Sequence, residues 1–535
     1  MKPGNQVKNL FKGTVILTIA ALCTKILSAF YRIPFQNIVG DIGFYIYQQV
    51  YPFYGIAIVL STYGFPVVIS KLHAEEMAKG EQGNTKQLFV VSMLFLLGFG
   101  LLCFLLLYSG AGWLANYMND PQLIPLLKVI AVIFLIMPVI ALLRGFFQGS
   151  DEMMPTAVSQ VSEQLVRVLT ILVSALFLVY HHYSLYSVGI GAVFGSITGG
   201  VTSALILLFF WQRIRKKEPL HGAVYFRQSG RIIKTFFLQA FPFCVSSMLL
   251  IFIQLADSLN LYSLLIDSGL GSEVAKSLKG IYDRGQPLIQ LGTVVATSMS
   301  LSLVPLITKE KLQKDTSILT EKIQLALKIS ILVGVGATMG LWNIIKPTNM
   351  MLFENTDGSH ILAVLSLSIL LASIIMTVTA ILQGLGSIFF PAVAIFGCFV
   401  MKYVLNILLI PKFGTMGAAL ASIFSLLVIL VMLVVKLHKM MEESLIHKRF
   451  YVMISVAAVV MMVVLNVFLQ MTDFFYEFGH SKRLFASMQA LGAVILGGFA
   501  YMVIILKTNL FKEDELSLLP LGSKLMVFLP KKNGR

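Results

Sequence analysis

Apolar stretches long enough to cross a membrane follow one another along almost the whole chain, with short polar connections between them. A spanning helix needs about 20 mostly apolar residues, and by that rule the pattern predicts about fourteen spans. They lie near residues 12–38, 43–71, 87–110, 124–148, 155–180, 184–211, 233–262, 282–307, 322–345, 361–385, 388–411, 414–437, 450–470 and 484–507. The chain is therefore expected to be an all-α integral membrane protein.

The composition agrees with that pattern, since 57% of the 535 residues are hydrophobic and only 12% are charged. A soluble protein carries about 25% charged residues. The formal net charge of +16 comes from Lys and Arg residues that are spread between the apolar segments. Membrane orientation and attraction to anionic lipid head groups explain this charge, which does not indicate a nucleic-acid-binding protein.

The basic residues of the connections predict the orientation in the membrane. They concentrate at the N-terminus, in the C-terminal tail and after the second, sixth, eighth and twelfth spans, as at Lys71, Lys79, Arg213, Arg215, Lys309, Lys311, Lys439, Lys448, Lys531 and Lys532. Two pairs are exceptions: Lys276 with Lys279, and Lys482 with Arg483. Because short cytoplasmic loops carry an excess of Lys and Arg, both termini are predicted in the cytoplasm.

An internal repeat divides the chain into two copies of a six-helix unit. A Gln-Gly pair occurs at Gln148 and again at Gln383, and a Pro near the end of a span recurs at Pro66 and Pro305. The predicted division is a first lobe at 1–212, a cytoplasmic linker at 213–232, a second lobe at 233–440, and two further spans with the tail at 441–535. Because six is an even number, the two lobes share one orientation, and a central site is expected between them.

Ionisable residues inside the spans are the candidates for function, because a charge at membrane depth usually faces a protein interior or a watery cavity. They are Lys25, Arg32, Lys128, Arg144, Glu163, Arg167, Asp257, Asp283, Arg284, Lys328 and Lys402. Lys25 and Arg32 are seven residues apart, so on a helix they share one face. Lys402 likewise shares a face with Asn406, four residues later.

Several of these residues also have a purely structural interpretation. Glu163 and Arg167 are four residues apart on one helix, so they could simply pair with each other. Arg144 lies near the end of a span, from which it could extend to the cytoplasmic surface. Asp283 could pair with the neighbouring Arg284, or it could be a charge favoured at a helix N-terminus.

The sequence does not indicate an enzyme. It contains no Walker A loop, dinucleotide-binding glycine turn, HExxH pair or nucleophile elbow. His181 and His182 lie in a connection without Cys or acidic companions, so no metal site and no cofactor are predicted.

Several motifs together carry a family resemblance. They are Gly13-Thr-Val-Ile-Leu17, Thr24-Lys25-Ile-Leu-Ser28, Gly64-Phe-Pro66-Val-Val-Ile-Ser-Lys71, Arg144-Gly-Phe-Phe-Gln148-Gly149, Pro155-Thr-Ala-Val-Ser-Gln160, Tyr282-Asp283-Arg284 and Leu303-Val-Pro305. With these motifs the chain resembles the MOP superfamily of exporters. Within it, the chain is most similar to the branch of polysaccharide exporters and MurJ-like lipid II flippases that includes YabM-like and stage V sporulation protein B-like proteins.

The resemblance implies a MATE-like fold with two six-helix lobes around a central cavity, plus two extra helices that form a lipid-facing groove. It implies a monomeric flippase of the cytoplasmic membrane for an undecaprenyl-pyrophosphate-linked glycan, lipid II first, in contact with membrane lipids and with no nucleic acid. A capsule, teichoic or spore-related glycan lipid is the rival substrate. A MATE-type drug antiporter and a membrane scaffold without transport activity are the rival classes. Association with the cell-wall synthesis machinery is left open.

The resemblance also implies roles for individual residues. Arg32 and Arg284 match arginines that line the cavity and meet the pyrophosphate, with Asp283 beside them, and Lys25 stands where another arginine is common. Some relatives bind sodium through an Asp of helix seven, which matches Asp257, and through positions near Lys402. A lysine there argues against a sodium site, so the Lys402 ammonium is expected to replace the ion and to pair with Asp257. The energy source would be the membrane potential or an ion gradient.

Overall fold

The computed structural model describes residues 3–79, 84–215, 220–225, 229–296, 298, 307, 316–441, 446–474, 481–508 and 510. These residues form helices joined by short turns, with no strand in the described ranges, which confirms the all-α prediction. The predicted repeat element at Pro305, the basic residues Lys309 and Lys311, and the tail with Lys531 and Lys532 lie outside them.

In chain order, we number the helices from α1 to α18. They are α1 (Pro3–Phe30), α2 (Arg32–Val59), α3 (Phe65–Ala78), α4 (Thr85–Tyr117), α5 (Ile124–Ala131), α6 (Ile133–Gly149), α7 (Met153–Tyr180), α8 (Leu185–Arg215), α9 (Gly230–Thr235), α10 (Phe241–Ser246), α11 (Leu249–Asp267), α12 (Ser272–Asp283), α13 (Gly285–Gly292), α14 (Thr316–Phe353), α15 (Ser359–Gly384), α16 (Phe389–Met441), α17 (Lys448–Asp473) and α18 (Lys482–Lys507).

Eleven stretches of the described chain are long and apolar enough to cross a membrane. Two of them, Ile16–Ala78 with 63 residues and Phe389–Met441 with 53, each contain two of the predicted spans. The predicted eighth span, 282–307, lies partly outside the described residues. These three cases account for the difference between the eleven stretches in the described chain and the fourteen predicted spans.

Glycines with positive φ end helical segments where the sequence predicts short connections. Gly40 has φ 68° and separates the first two predicted spans, and Gly414 has φ 56° and separates the eleventh from the twelfth. Glycine adopts this conformation without the steric cost of a Cβ. Pro34 lacks an N–H to donate to Phe30, and the helix is interrupted there at Tyr31, whose backbone nevertheless stays α-helical.

Two π-helical turns precede a Phe-Pro pair. Leu60–Gly64 leads into Phe65 at the start of α3, and Phe236–Ala240 leads into α10. The wider turn accommodates a proline that cannot donate its backbone hydrogen bond. The first turn packs so closely against α10 that a Cβ at Gly64 would overlap Cys244 Sγ.

The structure contains two compact units, and the first comprises residues 1–287 and 386–425. It therefore includes helices from both predicted lobes, and the lobe boundaries stay a prediction. Its interior holds large polar side chains that are fully buried, among them four arginines. They are Arg32, Arg144, Arg167 and Arg284.

The second unit comprises residues 288–385 and 426–535. Its core is apolar and formed by α14, α17 and α18, with Ile329, Leu332, Ile454, Met461, Leu465 and Tyr501 among the buried side chains. The Tyr501 hydroxyl donates to the backbone oxygen of Leu332 at 2.9 Å. The ionisable side chains that the resemblance implicates are therefore found in the first unit.

Candidate functional site

Arg32 lies at the first position of α2 and is completely buried. Its three guanidinium nitrogens have no hydrogen-bond partner among the described residues. The guanidinium carbon instead lies 4.2 Å from the centre of the Tyr51 ring, a cation–π contact. Arg32 is therefore a buried cation with its hydrogen-bonding capacity unused.

Arg167 of α7 enters the same aromatic surroundings. It donates to the hydroxyls of Tyr31 at 2.9 Å and Tyr47 at 2.8 Å, and these two hydroxyls bond each other at 2.7 Å. Its guanidinium carbon lies 4.0 Å from the Tyr54 ring and 5.7 Å from the Tyr51 ring.

The tyrosines come together because of their spacing. Tyr47, Tyr51 and Tyr54 are four and three residues apart, so they line one face of α2. Together with Arg32, Arg167 and Tyr31 they form what we call the tyrosine–arginine site. None of these tyrosines was among the predicted site residues, although their helical spacing is visible in the sequence.

The predicted pairing of Glu163 with Arg167 is wrong. Glu163 instead accepts from Arg144 of α6 at 2.8 Å, and both side chains are buried. Arg144 also donates to the hydroxyls of Thr62 at 2.8 Å and Ser203 at 2.9 Å. The prediction that Arg144 extends to the surface is therefore wrong as well, because these partners satisfy its charge inside the helix bundle.

The predicted pair of Lys402 and Asp257 is present. The Lys402 ammonium lies 2.8 Å from Asp257 Oδ1 and also donates to Asn406 Oδ1 at 2.9 Å and to the backbone oxygen of Ala418 at 2.6 Å. Asn406 and the Tyr282 hydroxyl donate to the two oxygens of Asp257 at 3.0 and 2.9 Å. We call this fully buried network the Asp257–Lys402 node.

Arg284 and Asp283 do not pair with each other. Asp283 is bound by Lys279, one turn earlier on α12, at 2.6 and 2.7 Å. Arg284 donates to Asp41, with its Nε at 2.9 Å from Oδ1 and a terminal nitrogen at 2.7 Å from Oδ2. Asp41 was not among the predicted site residues because it lies in a predicted connection, 243 positions from its partner.

Lys25 is half-buried on α1, one of the two cations that the sequence analysis placed on one face of the first span. Among the described residues no group of three His, Cys, Asp or Glu side chains could hold a metal ion. Asp120, which the sequence analysis also missed, is buried and accepts from the hydroxyls of Tyr45 at 3.0 Å and Tyr186 at 2.7 Å.

The buried cations in the described part of the first unit differ in how they are compensated. In four buried or partly buried pairs an acid neutralises a cation: Arg144–Glu163, Lys279–Asp283, Arg284–Asp41 and Lys402–Asp257. Arg32 and Arg167 are equally buried, but within the described chain neither has an acid at ion-pair distance. Two uncompensated guanidinium groups beside the same aromatic ring can bind a multiply charged anion.

Known proteins resemble the chain over nearly its whole length. Residues 10–311 match the model of a family described as polysaccharide biosynthesis protein. The membrane protein YabM of Bacillus subtilis (strain 168) is 43% identical, with 98% of this chain and 97% of its own covered. The lipid II flippase MurJ of the same strain is 25% identical, with 92% and 94% covered.

Solved structures show the same fold. A lipid II flippase MurJ in an inward closed conformation matches with a TM-score of 0.62 and 18% identity, covering 92% of this chain and 98% of its own. An inward-facing multidrug resistance MATE family transporter of the MOP superfamily matches with a TM-score of 0.63 and 15% identity, covering 79% and 98%. The first of these proteins is a flippase and the second is a transporter. The chain thus belongs to the polysaccharide biosynthesis protein family and is a multi-pass membrane protein that shares the fold of these two transport proteins.

Proposed function

We propose that this protein is a flippase that carries an undecaprenyl-pyrophosphate-linked glycan, with lipid II as the first candidate, across the bacterial cytoplasmic membrane. The observation that carries the proposal is the buried guanidinium of Arg32, which has neither an acid nor a hydrogen-bond partner in the described chain. The similarity to the lipid II flippase MurJ over 92% of the chain supports the same substrate class.

A pyrophosphate fits the tyrosine–arginine site on chemical grounds. Arg32 and Arg167 both lie within cation–π distance of the Tyr51 ring, at 4.2 and 5.7 Å from its centre. A buried cation without a partner is costly, so the binding of an anion at this site is favourable. Guanidinium groups bind phosphate oxygens in a bidentate manner, which replaces the water that the pyrophosphate loses.

The transport step follows from where the two parts of the substrate are stable. The prenyl chain remains in the lipid, while the charged head group needs a polar route through the protein. Alternating access of the two predicted lobes, with both termini in the cytoplasm, would expose the tyrosine–arginine site first to one side and then to the other.

A flipping assay in vesicles tests the substrate. Purified protein is reconstituted with fluorescent lipid II, with a teichoic acid precursor on the same prenyl pyrophosphate, or with a cationic dye as MATE substrate. We expect accessibility of lipid II to an external quencher to rise faster than in protein-free vesicles. If the teichoic acid precursor moves faster than lipid II, that precursor is the preferred substrate. Dye export without movement of either lipid would contradict the flippase proposal.

We further propose that transport does not require sodium. The Lys402 ammonium is held by three oxygens, those of Asp257, Asn406 and Ala418, at 2.6 to 2.9 Å, so a covalently tethered cation already occupies this position. The driving force would be the membrane potential or another ion gradient. Replacing sodium by choline in the flipping assay should leave the rate unchanged, and a sodium-dependent rate would contradict this part of the proposal.

A further inference from the structure

Arg284, which the resemblance assigns to the substrate, is occupied by an acid of the protein itself. The guanidinium is completely buried, and the Asp41 carboxylate retains 17% exposure. Arg284 Nε and one terminal nitrogen both lie 2.9 Å or less from Asp41 Oδ1, and the terminal nitrogen also reaches Oδ2 at 2.7 Å. The carboxylate thus takes the two-point position that a phosphate group would need.

The surrounding backbone holds Asp41 against α12. Gly280 lies one turn before Arg284 on the same face, and a Cβ there would overlap the backbone oxygen of Asp41. Gln36 donates its side-chain amide to Asp41 Oδ1 at 2.9 Å. Gly40, with φ 68°, turns the chain so that Asp41 begins the second segment of α2. These contacts place the carboxylate in one defined position.

The neighbouring acid does not compete for Arg284. Asp283 has both oxygens within 2.7 Å of the Lys279 ammonium, so its charge is compensated on its own helix. Among the described residues, Asp41 is thus an acid that compensates Arg284, and it comes from the first predicted lobe while Arg284 comes from the second. The connection around Asp41 is predicted on the outer face of the membrane, so the pair joins the two lobes at their outer end.

We propose that the Asp41 carboxylate binds Arg284 while the protein holds no substrate, and that a phosphate group of the substrate displaces this carboxylate. While Asp41 is bound, α2 is held on α12 and the outer end is closed. When phosphate oxygens take the guanidinium, the link between the two helices is lost and the outer end opens. This role of Asp41 as a positioning residue rests on the proposed function, since it requires a phosphate-bearing substrate.

Thiol labelling tests the link without any substrate. Ser258 on α11 is buried, lies against α2 and is nearly isosteric with cysteine, so Ser258→Cys is the reporter in a background without the four native cysteines. With a membrane-impermeant maleimide added outside, Asp41→Asn should increase labelling by about five- to tenfold. The matched control is Asp267→Asn, an exposed acid at the end of α11, which should leave labelling unchanged.

A binding measurement tests the displacement. The detergent-solubilised protein is titrated with undecaprenyl pyrophosphate, and Asp41→Asn should bind about five- to tenfold more tightly than wild type because its competitor is gone. Arg284→Gln should bind more weakly. The exchange of both residues, Asp41→Arg with Arg284→Asp, should restore low labelling, which shows that the variants fold.

The outcomes separate this inference from the proposed function. Labelling of Asp41→Asn at the level of Asp267→Asn, or binding by Asp41→Asn that is no tighter than that of wild type, would overturn the displacement by substrate. If wild type flips no lipid-linked glycan while Asp41→Asn still labels faster, the proposed function fails and the closing link between α2 and α12 is supported.

Discussion

The tyrosine–arginine site and the Asp257–Lys402 node are both buried in the first unit, yet they treat charge in opposite ways. In the node, each ionised group has a counter-ion and further hydrogen bonds, such as those from Asn406 and Tyr282 to Asp257. In the tyrosine–arginine site, Arg32 lies against the rings of Tyr51 and Tyr31 and has no acid at ion-pair distance among the described residues. A buried charge with a counter-ion is bound within the fold, and removing that counter-ion is costly, whereas an uncompensated cation is available for a ligand.

The largest effect is expected from breaking the node. Asp257→Asn keeps the shape of the side chain but leaves the Lys402 ammonium buried without its counter-ion, which should lower the free energy of unfolding by about 3–5 kcal/mol. Thermal unfolding in detergent measures the loss. The double variant Asp257→Asn with Lys402→Met removes the cation too and should recover most of it. An Asp257→Asn variant as stable as wild type would show that the node does not depend on charge.

At the tyrosine–arginine site we expect a loss of transport rather than a loss of stability. Arg32→Ala should lower the flipping rate by about 100-fold, because two charge-assisted hydrogen bonds to the substrate of about 1.5 kcal/mol each are lost. Stability should not fall by a comparable amount, because no hydrogen bond of Arg32 is broken. Arg213→Ala, at a residue exposed on α8, is the matched control and should flip at the wild-type rate. Equal flipping rates in Arg32→Ala and Arg213→Ala would show that Arg32 does not bind the substrate.

An intermediate effect is expected at the pair of Arg144 and Glu163. Glu163→Gln removes the acid, but Arg144 keeps its hydrogen bonds to the hydroxyls of Thr62 and Ser203. We therefore expect a loss of stability of about 2 kcal/mol, less than at the node. Thermal unfolding of the two variants side by side measures the difference. A larger loss in Glu163→Gln than in Asp257→Asn would reverse the order we assign.

The smallest effect is expected from the aromatic ring that the two arginines share. Tyr51→Leu keeps an apolar side chain and removes one of several rings, because Arg32 still faces Tyr31 and Arg167 still faces Tyr31 and Tyr54, so the loss should be about 1 kcal/mol. Binding of undecaprenyl pyrophosphate should weaken by less than in Arg32→Ala. A loss as great as that of Arg32→Ala would mean that the ring, rather than the guanidinium, dominates the site.

Local features of the fold could be predicted from the sequence, and distant contacts could not. The connections at Gly40 and Gly414 follow from apolar length and the conformational freedom of glycine, and the structure places positive φ there. The pair of Lys402 and Asp257 could be expected only because a family resemblance brought the two helices together. No sequence spacing relates Arg284 to Asp41, or Arg167 to Tyr31, which are 243 and 136 positions apart.

The prediction that failed most clearly has a physical reason. Glu163 and Arg167 have the spacing of a helical ion pair, but each finds a partner on another helix that satisfies more of its hydrogen-bonding groups. An ion pair between residues four apart stabilises a helix by only about 0.2–0.5 kcal/mol, so the tertiary contacts of a buried guanidinium easily override it.

The central claim is that Arg32 is the uncompensated cation that binds the pyrophosphate of the substrate. The most direct measurement compares the thermal shift caused by undecaprenyl pyrophosphate with that caused by undecaprenol, which has the same chain and no phosphate. We predict that the pyrophosphate raises the unfolding temperature of the wild type more than undecaprenol does, and that Arg32→Ala abolishes this difference. An equal difference in wild type and Arg32→Ala would contradict the account.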